Sequence, residues 1–332
     1  GLLDRFRDVG EKTLGYPVMM RSGFSLGGLG SGRIDTPAQL KARAKEVLAA
    51  VPQVLIEEYL VGWKEVEYEV VRDCDGNTIT VCNMENFDPM GVHTGESIVV
   101  APSQTLTNYE YHMLREVAIR TINHLGIIGE CNIQYALHPS NGEYRVIEVN
   151  ARLSRSSALA SKATGYPLAF VASKLMLGKR LYEIKNSVTG KTSAFYEPAL
   201  DYLAVKMPRW DLQKLKSSDH HIGSEMKSVG EVMALGRSFP EALQKATRML
   251  NIGAHGLSVH PYDISDPMDE VTHPTDRRLF AIYEAMKQGV STEQIHEASH
   301  IDRWFLDHIA AIYDTERQLA GVSLTAERLR QA

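Results

Sequence analysis

The stretch Arg145-Val-Ile-Glu-Val-Asn-Ala-Arg-Leu-Ser-Arg155 decides how this chain is read. Its first half has the alternation of a β-strand, and its second half is a basic loop. Side chains alternate faces along a strand, so Glu148 and Asn150 point the same way with Val146 beside them, while Arg145, Ile147 and Val149 point opposite. A carboxylate and an amide oxygen two residues apart make a small platform of hard oxygens, the donor type that Mg²⁺ prefers. Arg152 and Arg155 follow at once, and guanidinium forks match phosphate oxygens. Metal ligands next to phosphate ligands suggest Mg-nucleotide chemistry. A strand with a polar outer face and a solvated basic turn is the alternative that this segment alone leaves open.

The segment before it narrows the choice. Gly129 to Leu137 alternates too, with Cys131, Ile133, Tyr135 and Leu137 on one face and Asn132 and Gln134 on the other. The connector His138-Pro-Ser-Asn-Gly-Glu143 has hairpin chemistry in its Pro and Asn-Gly. An antiparallel pairing of the two strands brings Gln134 near Glu148 and Asn150. That trio is a poor salt-bridge network but a reasonable cation site.

Further out, the punctuation is regular. Residues 2–14 read as the last turns of a helix ended by Gly15 and Pro17, and Val18 to Arg21 as a short strand. The glycine-rich loop Ser25-Leu-Gly-Gly-Leu-Gly-Ser-Gly32 follows. It is no Walker A motif, since no Gly-Lys-Ser/Thr is present, and Arg33 stands where the dinucleotide fingerprint needs its third glycine. What remains is a loop with backbone amides free for a phosphate, and Arg21 lies just before it.

Thr36-Pro37-Ala38-Gln39 opens a helix. Strands are expected at 53–60, 64–73 and 77–84, and an amphipathic helix over 107–125 with the capping box Thr107–Glu110, core positions including Leu114, Val117, Ala118, Ile122 and Leu125, and a stop at Gly126. Ser157 to Leu177 reads as one helix closed by Gly178. From about Ser238 only helices are expected, with capping boxes at Ser238–Glu241 and Ser291–Gln294. Glu65, Glu67 and Glu69 share one strand face, ordinarily a solvated acidic face, although one such carboxylate could accept from ribose hydroxyls. His93 sits in a loop between two glycines.

Composition sets outer limits. With 332 residues, 44% of them hydrophobic, the chain can bury one or two full cores. Its 36 basic and 41 acidic residues, net −5, argue against a protein that coats nucleic acid. No apolar run approaches the roughly 20 residues needed to span a bilayer. The three cysteines, Cys74, Cys82 and Cys131, form no CxxC pair and fit a reducing compartment better than a disulfide framework.

Several motifs together resemble the carbamoyl-phosphate synthetase large chain. They are Tyr16 to Ser22 followed by Gly27 to Gly32, Gly62 to Asp73, Asn83 to Ser97, the run Glu148 to Pro167, Met226 to Met233 and Ile301 to Leu306. The resemblance covers nearly the whole chain and is nearest to eukaryotic versions. It implies an α+β ATP-grasp fold over residues 1–240 and an all-α, oligomerisation-type helical region over 241–332. It also implies that residue 1 follows an N-terminal subdomain that supplies an arginine to the nucleotide.

The implied chemistry is that of the first synthetase half, a ligase that phosphorylates bicarbonate with MgATP and lets ammonia convert the carboxyphosphate to carbamate. By motif position, Arg21, Gly27 and Gly28 would hold phosphates, Glu58 and Leu60 the adenine, and Glu65 the ribose. Gly91, Val92 and His93 would border the nucleotide. Gln134, Glu148 and Asn150 would bind Mg²⁺ or Mn²⁺, with Gln134 and Glu148 also facing the nucleotide. Arg152 and Arg155 would steady the transferring phosphoryl group. Implied partners are a second ATP-grasp half, a glutamine amidotransferase and other copies met through the helical region. The implied location is the cytoplasm, with the mitochondrion as the alternative. Two rival readings stay open: a nucleotide-binding or assembly module without turnover, and another ATP-grasp carboxylate ligase.

Overall fold

A computed structural model describes residues 14–22, 32–60, 62–214, 219–323 and 325–331. The first helix expected from sequence and most of the glycine loop, Gly27 and Gly28 included, lie outside the described residues.

The first unit is small. It comprises β1 (Val18–Ser22), β2 (Gly32–Ile34), α1 (Pro37–Leu48) and β3 (Val54–Glu58), with the strands in the antiparallel order β2-β1-β3. Thr36 caps α1 by accepting from the Gln39 amide, with Pro37 in the first turn. Val18 and Met20 pack with Ile34, Leu40 and Ala44 in a private core. Strand alternation therefore leaves Met19 and Arg21 on the other face, where they line a cleft.

The main sheet is built from β4 (Lys64–Arg72), β5 (Thr78–Asn86), β6 (Val99–Ala101), β7 (Gly129–Leu137), β8 (Tyr144–Asn150), β9 (Leu203–Arg209) and β10 (Gly230–Gly236). Its order is β10-β9-β6-β5-β4-β7-β8, and every pairing is antiparallel. Between β6 and β7 runs α2 (Asn108–Leu125), which carries the Thr107–Glu110 capping box and a left-handed Gly126 at its end. Leu114, Val117, Ala118 and Ile122 pack on Val66, Tyr68, Val70, Ile133 and Tyr135 of the sheet. Leu125, expected in that core, is instead 55% exposed at the last position of the helix.

The opposite face is covered at one end by α3 (Arg155–Thr164) and α4 (Leu168–Met176), whose Leu159, Ala163, Val171 and Leu175 meet Val81, Met84 and Val99. The single helix expected over 157–177 is thus two helices. Gly165 adopts φ +71° as the cap of the first, and Pro167 precedes the second, so neither residue continues a helical ladder.

After β10 the chain is helical: α5 (Phe239–Met249), α6 (Pro267–Thr272), α7 (Arg278–Lys287), α8 (Thr292–Ser299), α9 (Arg303–Leu319) and α10 (Ala326–Gln331). Ser291 and Gln294 form a full capping box. At α5 only half of one forms: Ser238 accepts from the Glu241 amide, but the Glu241 carboxylate accepts from the Arg237 amide instead. These helices bury Phe239, Leu243, Phe280, Ile282, Phe305 and Ile309 against Phe87, Val100, Val205 and Met207. They take the same face of the sheet as α2, because Val100 and Val205 alternate with Val99, Ala101 and Ala204, which belong to the core beneath α3 and α4.

Candidate active site

The cleft opens where the small unit faces the sheet, on the face opposite the helical region. β7 and β8 pair with Gln134 opposite Glu148 and Asn132 opposite Asn150, so the expected hairpin brings Gln134, Glu148 and Asn150 together. Asn150 Nδ2 donates to Glu148 Oε1 at 2.8 Å. The register slips by one residue between Gln134 and Tyr135, leaving Ile147 as the extra residue on β8. Strict alternation would turn Ile147 away from Glu148. The bulge instead lets it line the cleft beside Glu148 and the chamber next to it.

Two communicating compartments share Met19, Arg21, Met90, Gly91 and Ile147. The larger, about 420 Å³, is also lined by Glu65, Val92, His93, Asn132, Gln134, Glu148, Asn150, Arg152, Arg155 and Lys206. The smaller, about 190 Å³, takes Glu58, Leu60, Arg145 and Val146. Every described residue singled out for nucleotide, metal or phosphate therefore faces one cleft. A flat, partly apolar ligand suits the smaller chamber, and an anion beside a cation suits the larger.

The individual groups are disposed for this. Arg21 Nε lies 3.2 Å from Glu57 Oε2, and Arg145 Nε 3.2 Å from Glu58 Oε2. Arg155 opens α3 just after the cap Ser154, and its guanidinium approaches Met226 Sδ at 3.6 Å. His93 accepts from the Gly95 amide at Nδ1 (2.9 Å), which assigns the proton to Nε2. Burial holds its pKa below the usual range, so the ring is neutral at pH 7 and presents an N–H donor. The His93 amide in turn donates to Gly223 O at 2.7 Å, fixing the loop.

The acidic strand corrects the sequence expectation. Glu65, Glu67 and Glu69 are buried, at 6%, 1% and 0% exposure, rather than on a solvated face. Their face of β4 looks into the cleft and under α3. Burial, followed by the neighbouring Glu67, pushes the Glu65 carboxyl up to about 8. Glu67 accepts from Thr94 Oγ1 (2.6 Å) and Asn132 Nδ2 (2.9 Å), and Glu69 accepts from Asn132 Nδ2 at 3.0 Å. Glu69 and Glu130 meet beside Ser157 Oγ, 3.3 and 3.1 Å away, and burial raises the pKa of both.

Sequence reasoning missed Lys206. It comes from β9, donates to Thr94 O at 2.9 Å and puts a buried amine beside these carboxylates, burial holding its pKa below the usual lysine range. Its one signal was a lysine inside an otherwise apolar strand, Leu-Ala-Val-Lys-Met.

The donor set of Gln134, Glu148 and Asn150 is entirely oxygen, with one charge, and suits a hard cation that keeps waters and shares a phosphate. Among the described residues no cluster of three or more His, Cys, Asp or Glu offers a competing metal site. No helix among them is long and apolar enough to cross a membrane.

Fold and cleft together define an ATP-grasp domain continued by a helical region. The chain belongs to the carbamoyl-phosphate synthetase large-chain family: residues 7–184 match the model described as "Carbamoyl-phosphate synthase L chain, ATP binding domain". Residues 231–332 match "Carbamoyl-phosphate synthetase large chain, oligomerisation domain". Among curated relatives, "Multifunctional protein pyr1-3" of Dictyostelium discoideum is 58% identical over 93% of this chain. "Carbamoyl phosphate synthase arginine-specific large chain, mitochondrial" of Schizosaccharomyces pombe is 56% identical over 96%. The chain spans only 14% and 27% of the length of these two relatives. Among solved structures, the biotin carboxylase domain of a Hydrogenobacter thermophilus 2-oxoglutarate carboxylase superposes with TM-score 0.58 at 16% identity, covering 91% of this chain and 68% of that one. That likeness carries the fold alone.

Proposed function

We propose that this chain is the bicarbonate-phosphorylating ATP-grasp segment of a carbamoyl-phosphate synthetase. The observation that carries the reading is that one cleft holds both the oxygen cluster Gln134, Glu148 and Asn150 and the cations Arg21, Arg152 and Arg155. ATP lies with its adenine between Leu60 and Glu58, its ribose at Glu65, and its phosphates toward Arg21; Gly27 and Gly28, outside the described residues, are further phosphate ligands by motif position. Gln134, Glu148 and Asn150 would hold Mg²⁺, for which Mn²⁺ could substitute, and the bound ion would supply neutralisation of phosphate charge. A bicarbonate oxygen attacks the γ-phosphorus, the bond to the β-phosphate oxygen breaks, and ADP leaves. Ammonia then attacks the carboxyphosphate carbon, phosphate departs, and carbamate remains.

The protein's share is positioning and charge neutralisation, which suits phosphoryl transfer. Arg152 and Arg155 face the transferring group, and the neutral His93 donates its Nε2 proton in a hydrogen bond without adding charge. Residues 1–240 form the ATP-grasp part and 241–332 the assembly part. The wider protein brings a second ATP-grasp half, a glutamine amidotransferase and further copies through the helices, in the cytoplasm or the mitochondrion. Bicarbonate-stimulated release of phosphate from MgATP by this chain tests the reading. Release that ignores bicarbonate, or responds instead to another carboxylate, would overturn it.

A further inference from the structure

Among the places where the helical region meets the cleft wall is the root of the loop 88–97. We propose that Arg278 of α7 is a positioning residue for the nucleotide-facing segment Met90–His93, coupling the helical region to the cleft; this rests on the functional reading above. Arg278 Nη1 donates to Asp88 Oδ1 at 2.6 Å, and both side chains are buried. The other Asp88 oxygen accepts from Ser97 Oγ at 3.0 Å, while the Asp88 amide donates to the same hydroxyl at 3.1 Å. Asp88 and Ser97 are thus the neck of a ten-residue loop, and Arg278 bolts that neck.

The guanidinium uses its remaining donors on the helices. Its Nε and Nη2 reach Val271 O at 3.1 and 2.9 Å, where α6 ends, and Nη2 approaches Ser299 O at 3.4 Å, where α8 ends. One planar group therefore joins three helical segments to the loop neck. The seam continues on either side. Phe87, just before the neck, meets Phe305 edge-on at 5.4 Å, and Lys64 Nζ lies 2.7 Å from Asp302 Oδ2. The residue beside Lys64, Trp63, accepts from the Met90 amide at 2.9 Å. A shift of α6, α7 or α9 is thereby delivered to Met90 and Gly91, which line both compartments. Asp88 cannot follow such a shift by releasing Arg278, since each would be left a buried, unpaired charge.

The test is amide hydrogen exchange together with MgATP affinity, on the full chain. Arg278→Lys keeps a cation beside Asp88 but cannot hold three segments at once. Exchange is expected to quicken within 88–97 while β4 and β7 stay protected, and MgATP affinity to fall by about 2- to 30-fold. By reciprocity, saturating MgATP should slow exchange around Val271–Arg278 in the unsubstituted chain and not in the variant. Ser97→Ala, which loosens the neck without touching a helix, provides a second variant if Arg278→Lys folds poorly, with the same expectation for the loop and for affinity. Unchanged loop exchange, or a quickened loop with unchanged affinity, overturns the proposal. Failure of the unsubstituted chain to bind MgATP sinks the functional reading and with it the role of Arg278, while the exchange pattern still reports whether the arginine holds the loop.

Discussion

Replacing Glu148 by glutamine separates metal binding from everything else the residue does. The side chain is exposed on the cleft wall and accepts a hydrogen bond from Asn150 Nδ2, which a glutamine oxygen can still accept. Stability should therefore move by no more than about 0.5 kcal/mol, the usual range for surface substitutions. Affinity should move much more. Loss of the only charged member of the oxygen cluster removes a charge-assisted contact worth about 1.5–3 kcal/mol. At about 1.4 kcal/mol per tenfold, that is roughly a 10- to 150-fold loss in MgATP affinity.

The sign reverses without metal, since a carboxylate facing a bare triphosphate repels it. Glu148→Gln should then bind ATP in EDTA as well as the unsubstituted chain, or better. Titration calorimetry in Mg²⁺ and in EDTA, with a thermal melt alongside, reads all three quantities. An equal loss under both conditions would mean that Glu148 contacts nucleotide directly, and the metal assignment would fall.

Two further expectations follow from the same geometry. Arg155→Ala should cost about 1.5–3 kcal/mol in nucleotide affinity with little change in melting temperature, because its contact with Met226 Sδ at 3.6 Å is weak; a change confined to melting temperature would make it a structural arginine. Burial holds the Glu65 carboxyl at about 8, above its ordinary 4.5. The native state thus keeps a proton that the unfolded chain releases, so stability falls as pH rises from about 4.5 to about 8, by at most about 5 kcal/mol at about 1.4 kcal/mol per pH unit. Glu65→Gln should flatten that part of the stability–pH curve, as urea melts at pH 5 and pH 8 would show; an unchanged slope would mean that Glu65 is ionised in the fold.

The parts legible in the sequence were those governed by local rules. The Thr107–Glu110 and Ser291–Gln294 capping boxes start helices where expected. Alternation on both sides of His138–Glu143 placed Gln134 opposite Glu148. What stayed hidden depends on what covers a face. Period-2 alternation puts Glu65, Glu67 and Glu69 on one side of β4, but a polar face reads alike whether it meets water or, as here, a cleft with Asn132 and Lys206. The bulge that turns Ile147 into the cleft adds one residue with no sequence mark. The break at Gly165 was readable from the Gly-Tyr-Pro that follows α3, yet the apolar spacing across it masked two helices as one. Arg278 lies 190 residues from Asp88, beyond any local pattern.

The most direct test of the account follows oxygen. Carboxyphosphate forms when a bicarbonate oxygen bonds to the γ-phosphorus, so attack at its carbon must expel phosphate carrying that oxygen. Turnover of MgATP in ¹⁸O-bicarbonate should release phosphate bearing one ¹⁸O from bicarbonate, in the presence of ammonium. Phosphate whose added oxygen comes only from solvent water would contradict the account, since the cleft would then be hydrolysing ATP without activating a carboxylate.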